Sequence, residues 1–213
     1  MIRCNFFTSY FFAHFVELLF DFYIDKPDIK SYNAYEHLFY YVLLKVYIMK
    51  GQTCCFSGHR NIPESEYIEL KKQLRDVVSI LAKRGIIYFG CGGARGFDML
   101  AAETVIEMKR YYPDIRLIMV YPCRDQTRFW NNKDTEIYNI IKQQCDKYVY
   151  VSESYTSNCM LLRNKHLVNN SRYCICYFTG VNSGTSFTVN YAASHGLTII
   201  NLAKYISTPF DII

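Results

Sequence analysis

Short apolar runs alternate with longer helix-like segments along most of this chain, and this alternation constrains the fold more than any other feature. The segment after the first run carries Leu70, Leu74, Val77 and Leu81 at the spacing of one helix face. Strands that alternate with helices pair in parallel and are covered on both faces of the sheet. The pattern therefore predicts an α/β fold, a Rossmann-like doubly wound parallel sheet of about six strands.

Prolines and glycines indicate where these elements end. Gly85 suits a helix C-terminus, and Pro113 ends a helix because the residue before a proline disfavours helical backbone. The predicted strands are residues 53–56, 86–89, 115–121, 148–151, 173–178 and 197–201, and the predicted helices between them are residues 63–84, 97–111, 134–145, 157–169 and 185–195.

Two glycine-rich loops join predicted strands to predicted helices. One runs from Gly90 to Asp98 as Gly-Cys-Gly-Gly-Ala-Arg-Gly-Phe-Asp, and the other runs from Gly180 to Thr185 as Gly-Val-Asn-Ser-Gly-Thr. Such loops bind phosphates in α/β folds, because glycine lets the backbone approach a ligand and the helix N-terminus presents free N–H groups. Most glycines lie in strand-to-helix connections, at the sheet edge where this fold binds ligands: Gly58, Gly90, Gly92, Gly93, Gly96, Gly180 and Gly184.

The turn after the first strand offers polar candidates for the same edge. Gly58 allows a tight turn, and His59 and Arg60 would face a phosphate or a base. An ordinary solvated turn is the alternative for these three residues. The first interpretation is favoured because this turn would open onto the same edge as both glycine loops.

The loop over residues 92–96 would admit a phosphate or a ribose at Gly92, Gly93 and Gly96. Arg95 would add a charged contact, and Asp98 would accept hydrogen bonds from ribose hydroxyls. Capping of the following helix is the alternative for Asp98. The spacing is neither that of a dinucleotide fingerprint nor that of a P-loop.

Two later segments add candidates on the same side of the predicted sheet. Gln126 and Trp130 would read or stack on a base, while partly buried packing is the slightly favoured alternative for Trp130, the only tryptophan. Arg163, followed by Asn164, would bind a phosphate through its guanidinium, with ordinary surface charge as the alternative.

The segment Ser183-Gly184-Thr185 begins the last predicted helix. Backbone N–H groups together with hydroxyls make a phosphate cradle at such a helix N-terminus. Capping by Ser183 or Thr185 alone is the less favoured alternative.

Composition narrows the environment and the class of ligand. The net charge of +5 permits an anionic ligand, but the basic residues are scattered rather than clustered as in nucleic-acid-binding proteins. Several of the nine cysteines lie in apolar strand-like runs, and none has the spacing of a zinc site. These features predict a reducing cytoplasm, no metal and no cofactor.

The first fifty residues differ from the rest in composition. They contain no glycine, and 15 of the 36 aromatic residues fall in residues 1–48. The polar residue His14 and the charged residues Glu17 and Asp21 make residues 6–24 a poor membrane span. We expect either amphipathic helices over residues 11–23 and 32–49, or an upstream extension that the cell does not make. The predicted organisation is an aromatic-rich N-terminal extension, 1–50, and a nucleotide-binding domain, 51–213.

Together these motifs resemble the SLOG superfamily, named for the Smf/DprA and LOG proteins, and most closely its YpsA-like branch, a bacterial family of poorly defined function. The resemblance spans roughly residues 52–202 and leaves out residues 1–48. The matching positions are residues 53–60 and 92–98, then Pro122, Gln126, Trp130, Arg163, Asn164, Ser183, Gly184, Thr185, Thr188, Val189, Tyr191 and Ala192. The resemblance implies a Rossmann-like fold and a nucleotide or nucleotide-derived ligand.

The chain departs from the superfamily pattern at several positions. Ser183 replaces one of two paired glycines, and the usual acidic positions after Asn164 fall on Asn169 and Arg172. The LOG enzymes cleave the N-glycosidic bond of nucleoside monophosphates with an arginine, which Arg163 matches, and a glutamate. That glutamate position falls on Thr188, which cannot replace a carboxylate.

The sequence therefore predicts a cytoplasmic sensor or regulatory domain for a nucleotide-derived small molecule. Phosphate would lie on residues 92–96 and 183–185, neutralised by Arg163 and Arg60, and Asp98 would hold a ribose. One alternative is a nucleotide N-glycosidase in which Asp98 or Glu103 supplies the carboxylate. Another is binding of single-stranded DNA, as in the DprA relatives, which the scattered basic residues do not favour. We expect no membrane span, and a homodimer is the oligomer typical of such domains.

Overall fold

The computed structural model describes the backbone of residues 32–204 and the side chains of residues 41–203. The chain divides into two compact units, Met1–Tyr47 and Ile48–Ile213. Helix α1, Tyr32–Gly51, includes the helix predicted over residues 32–49. The helix predicted over residues 11–23 lies outside the described residues.

From Thr53 onward, strands and helices alternate as the sequence predicts. The strands are β1 (Thr53–Gly58), β2 (Tyr88–Cys91), β3 (Arg116–Tyr121), β4 (Lys147–Tyr150), β5 (Tyr173–Tyr177) and β6 (Thr198–Asn201). The helices are α2 (Glu64–Lys83), α3 (Phe97–Met108), α4 (Asn132–Gln144), α5 (Cys159–Asn169) and α6 (Gly184–Ser194), and a short 3-10 helix, Leu202–Lys204, follows β6.

The six strands form one parallel sheet in the order β4-β3-β2-β1-β5-β6. The chain moves outward from β1 to β4, returns across the sheet to β5, and continues in the opposite direction to β6. Right-handed crossovers then place α2, α3 and α4 on one face and α5 and α6 on the other. The direction reverses between β1 and β5, which is therefore the topological switch point of the sheet.

Each face of the sheet carries its own core. Phe56, Phe89 and Leu117 lie under α2, α3 and α4, whereas Cys55 and Cys174 lie under α5 and α6. Successive side chains of a strand point to opposite faces, so burial on both faces requires the near-continuous apolar runs seen in β1, β3 and β5. The prediction of a doubly wound α/β fold is confirmed.

Some predicted boundaries shift by two or three residues. Strand β2 covers Tyr88–Cys91 rather than residues 86–89, because Tyr88 is the first residue paired with both Thr53 of β1 and Arg116 of β3. The apolar residues in the sequence locate this strand, but they do not show at which residue its pairing with β1 and β3 begins. None of the helices in the described part of the chain is long and apolar enough to cross a membrane.

Candidate functional site

Three loops meet at the carboxyl edge of the sheet around the switch point. Strand β1 lies between β2 and β5, so the loop after β1 lies between the 92–96 loop and the 180–185 loop. The backbone of His59 joins them: its N–H donates to the carbonyl of Tyr177 at 3.2 Å, and its carbonyl accepts from the N–H of Phe97 at 3.1 Å. The loops after β1 and β5 lead to opposite faces of the sheet. Doubly wound folds bind ligands in the crevice between two such loops.

The His59 side chain bridges β1 and β5 at this point. Its Nε2 accepts the backbone N–H of Thr179 at 3.1 Å, so the proton of the neutral ring lies on Nδ1. The ring packs edge-on against Tyr177 and tilted against Phe178. Burial lowers the pKa of His59 below its ordinary value, which favours this neutral ring.

The glycines of the loops after β1 and β2 make room for parts of the protein itself. A Cβ on Gly58 would overlap the ring of Phe97, and a Cβ on Gly96 would overlap the carbonyl of Arg60. Gly96 also has φ +76°, a left-handed conformation that favours glycine. Glycine at these two positions therefore allows the loops after β1 and β2 to pack closely against each other.

Arg163 and Asp98 form a buried ion pair beneath the 92–96 loop. Arg163 is 5% exposed and Asp98 is 5% exposed, and Nη1 of Arg163 lies 3.4 Å from Oδ2 of Asp98. Oδ2 also accepts the N–H of Ala94 at 3.2 Å, so Asp98 supports the loop and does not cap α3, whose N-cap is Gly96. Burial raises the pKa of Asp98, while the charge of Arg163 and the N–H of Ala94 oppose that shift.

Gln126 and Trp130 lie on the other side of the same loop. The Nε2 of Gln126 donates to the carbonyl of Gly93 at 3.0 Å, and the side chain is buried. Trp130 is half-buried and packs edge-on against Tyr138, which agrees with the packing alternative. Arg95 lies over the Trp130 ring and 3.5 Å from a carboxylate oxygen of Asp134.

The 180–185 loop is open by comparison. A Cβ on Gly180 or Gly184 would meet no atom within 4 Å. The N-terminus of α6 is organised by Ser186, whose Oγ accepts the N–H of Ser183 at 2.9 Å. The Thr185 side chain is 8% exposed, and Oγ of Ser183 is buried without a hydrogen-bond partner in the described part of the chain. The N-terminus of α6 thus faces open space next to the switch point.

Asn164 and Thr188 join α5 to α6 rather than facing the loops. The Nδ2 of Asn164 donates to Oγ1 of Thr188 at 2.8 Å, and that hydroxyl donates to the carbonyl of Gly184 at 2.9 Å. Thr188 is 2% exposed. Its hydroxyl is fully used by the protein, at the position where the LOG resemblance implies a catalytic carboxylate.

Two contacts at this edge were missed at the level of sequence. Oδ1 of Asn201 accepts the N–H of Phe178, and its Nδ2 donates to the Phe178 carbonyl, so this side chain extends the pairing of β5 by one residue. The hydroxyl of Tyr177 donates to Oε2 of Glu66 at 2.6 Å and ties β5 to α2. Asn201 is the last residue of β6, and Tyr177 is the last residue of β5. Their position at the carboxyl ends of strands is the signal that could have identified both residues in the sequence.

Within residues 41–203 no cluster of His, Cys, Asp or Glu side chains is arranged to hold a metal ion. The groups that face the edge are glycine backbone, helix N–H groups, hydroxyls and the cationic side chain of exposed Arg60. This set suits an anionic, hydrogen-bonding ligand.

The model of the YpsA family, described as the YspA SLOG family, matches residues 57–198. The chain belongs to this SLOG family. The match begins at the end of β1 and reaches β6, so it includes all three loops at the carboxyl edge. The resemblance drawn from the motifs is confirmed.

Relatives of the chain include the uncharacterized SPbeta prophage-derived protein YoqJ of Bacillus subtilis. It is 28% identical over 140 residues, which are 59% of this chain and 81% of YoqJ. A UPF0398 protein of Staphylococcus epidermidis is 34% identical over 84 residues, which are 39% of this chain. The match covers 44% of that relative, so this chain spans less than half of its length.

A solved structure of DNA processing protein A from Helicobacter pylori, reported for its single-stranded DNA binding mode, has a similar fold. The TM-score is 0.51 at 20% identity, over 73% of this chain and 66% of that protein. At this identity the likeness concerns the fold alone.

Proposed function

We propose that the domain predicted over residues 51–213 binds a nucleotide or nucleotide-derived ligand at the carboxyl edge of the sheet, as a sensor or regulatory domain. The observation that carries this proposal is the switch point between β1 and β5, where the N-terminus of α6 faces open space. Parallel α/β sheets bind nucleotides at this place because loops leave toward opposite faces and helix N–H groups remain free.

The charges around the switch point support an anionic group on the ligand. The first turn of α6 contains no acidic residue, so nothing offsets the partial positive charge of the helix N-terminus. Arg60 is exposed in the adjacent loop, and the neutral His59 ring retains an N–H on Nδ1. A phosphate would find donors on both sides of the switch point.

The carboxylates near the loops favour binding without cleavage over an N-glycosidase. Thr188 occupies the position of the LOG glutamate, and Asp98 is held by Arg163 beneath the loop. Glu103 lies in the body of α3, where burial raises its pKa and the charge of Lys71 only partly opposes that shift. None of these groups is placed as a free acid or base at the edge.

The proposal is tested by a thermal-shift screen of the purified full chain against nucleosides, nucleotides, cyclic nucleotides and ADP-ribose derivatives. A ligand at about 100 times its Kd adds about 2.7 kcal/mol of stability, which raises the melting temperature by roughly 5–11 °C for a chain of this length. Each stabilising compound is then assayed for release of free base.

A ligand that stabilises the chain and remains intact supports a sensor. Release of base would overturn this assignment in favour of an N-glycosidase. No stabilisation by any nucleotide, together with salt-sensitive binding of a single-stranded oligonucleotide, would assign the edge to DNA instead.

A further inference from the structure

The second half of helix α1 is almost entirely apolar, and it is exposed. Between Tyr41 and Met49 only Val42 is buried, and Lys45 is the only charged residue. The other side chains of this stretch are apolar or aromatic and are 37–77% exposed: Tyr41, Leu43, Leu44, Val46, Tyr47, Ile48 and Met49. We propose that these seven residues, the α1 surface, bind the α1 surface of a second copy of the chain.

The α1 surface has the size of an interface. With these exposed fractions, the seven side chains present roughly 600 Å² on each chain. The largest apolar patch of a typical monomer covers about 300–600 Å², and a stable interface buries about 800 Å² on each partner. The α1 surface therefore supplies most of the area that a stable dimer requires.

The composition of the α1 surface favours a second copy over a partner of opposite charge. Interfaces between identical chains are more apolar than other protein interfaces, and their cores are poor in charged residues and rich in aromatic residues and methionine. The one charged residue of the stretch, Lys45, lies with its Nζ 5.1 Å from the ring centroid of Tyr41. Two α1 surfaces can therefore meet without bringing an array of like charges together.

The spacing of three exposed residues fits the pairing of two helices. Tyr41, Leu44 and Ile48 follow the i, i+3, i+7 pattern, which places their side chains on one face of α1. A stripe of this kind packs against the same stripe of another helix, as it does in coiled coils. Leu44 is the middle residue of the stripe and is 57% exposed, so we expect it at the centre of the contact.

The distribution of apolar residues around α1 favours a protein over a membrane surface as the occupant. Helices that lie on membranes have one apolar face and one strongly charged face. Leu43 and Val46 lie on the side of α1 opposite to the stripe, because each residue advances about 100° around a helix. A helix that is apolar on both sides is normally packed against other protein.

The α1 surface is separate from the candidate ligand site. Helix α1 ends at Gly51, and Oγ1 of Thr53, the first residue of β1, donates to the carbonyl of Met49 at 2.6 Å. The end of α1 thus lies at the amino end of β1, whereas the candidate site lies at the carboxyl edge of the sheet. The α1 surface also lies outside residues 57–198, which the family model matches. The inference is therefore independent of the proposed function.

Sedimentation equilibrium of the purified full chain between about 1 and 100 µM tests this inference. We expect the average mass to rise with concentration toward twice the mass of one chain. Leu44→Glu should weaken dimerisation at least about tenfold, because it places a charge in the middle of an apolar contact. Ile68→Glu is the matched control, since Ile68 is also an aliphatic residue on a helix and is 82% exposed, and it should leave the equilibrium unchanged.

Leu44→Ala and hydrogen exchange keep the test valid if Leu44→Glu disturbs the fold. Leu44→Ala adds no charge and retains a strong helix former, and it should weaken dimerisation by a smaller factor than Leu44→Glu. In the wild type, amide exchange in residues 41–49 should slow as the concentration rises. Slowing confined to other segments, or equal weakening by Ile68→Glu, would overturn the inference.

A chain that remains monomeric at about 100 µM would also overturn the inference. Co-sedimentation of that monomer with phosphatidylcholine–phosphatidylglycerol vesicles, lost in Leu44→Glu, would then assign the α1 surface to a lipid surface. A monomer that binds no vesicles would assign the covering of this surface to residues 1–31 of the same chain.

Discussion

Replacing Arg163 by methionine should destabilise the domain strongly, because it leaves the Asp98 carboxylate buried without its cation. Both side chains are more than nine-tenths buried. Breaking a buried pair by removing one partner costs about 3–5 kcal/mol. In a chain of this length each kcal/mol lowers the melting temperature by roughly 2–4 °C, so we expect a fall of roughly 6–20 °C.

The same variant should gain stability relative to the wild type as the pH falls. Burial raises the pKa of Asp98 and the Arg163 charge opposes this, so removing Arg163 raises that pKa further. A carboxyl whose pKa is raised in the folded state stabilises that state when protonated, and this stability is lost as the pH rises through the folded pKa. The cost of Arg163→Met should therefore be smaller near about pH 5 than near about pH 8.

Urea unfolding followed by circular dichroism at both pH values measures these effects. Adding Asp98→Asn to Arg163→Met should recover part of the loss, with a coupling free energy of about 2 kcal/mol for residues in contact. Arg124→Met is the control, because its ion pair with Glu153 is exposed and should contribute little. If the losses of unfolding free energy from the two single substitutions simply add in the double variant and do not depend on pH, the buried ion pair is refuted.

Three further outcomes follow from single contacts. Gly96→Ala should cost about 2 kcal/mol or more in urea unfolding, because φ is +76° and the new methyl overlaps the Arg60 carbonyl; wild-type stability would contradict this packing. Thr188→Val should lower stability by about 1 kcal/mol in calorimetry, since it leaves the half-buried amide of Asn164 without its acceptor. An NMR titration should place the pKa of His59 below its ordinary value, with the neutral ring protonated at Nδ1; a proton on Nε2 would rule out the hydrogen bond from the backbone N–H of Thr179.

The sequence alone predicted the class of fold and the edge of the sheet at which we propose the site. Strand and helix periodicities are local properties, so the alternation of apolar runs identified six strands and the helices between them. Parallel strands all end at one edge, and most glycines fall after strands, so the loops at that edge were located before any contact was known. The strand order, with β1 between β2 and β5, required the tertiary structure.

The partners of individual side chains were decided by the tertiary structure. Arg163 and Asp98 were both selected as ligand contacts, yet they lie 65 positions apart in sequence and bind each other beneath a loop. Gln126, Asn164 and Thr188 likewise bond to the protein. Sequence shows that a residue can donate or accept a hydrogen bond. Whether that capacity is used within the protein or left for a ligand depends on contacts between distant segments, which only packing determines.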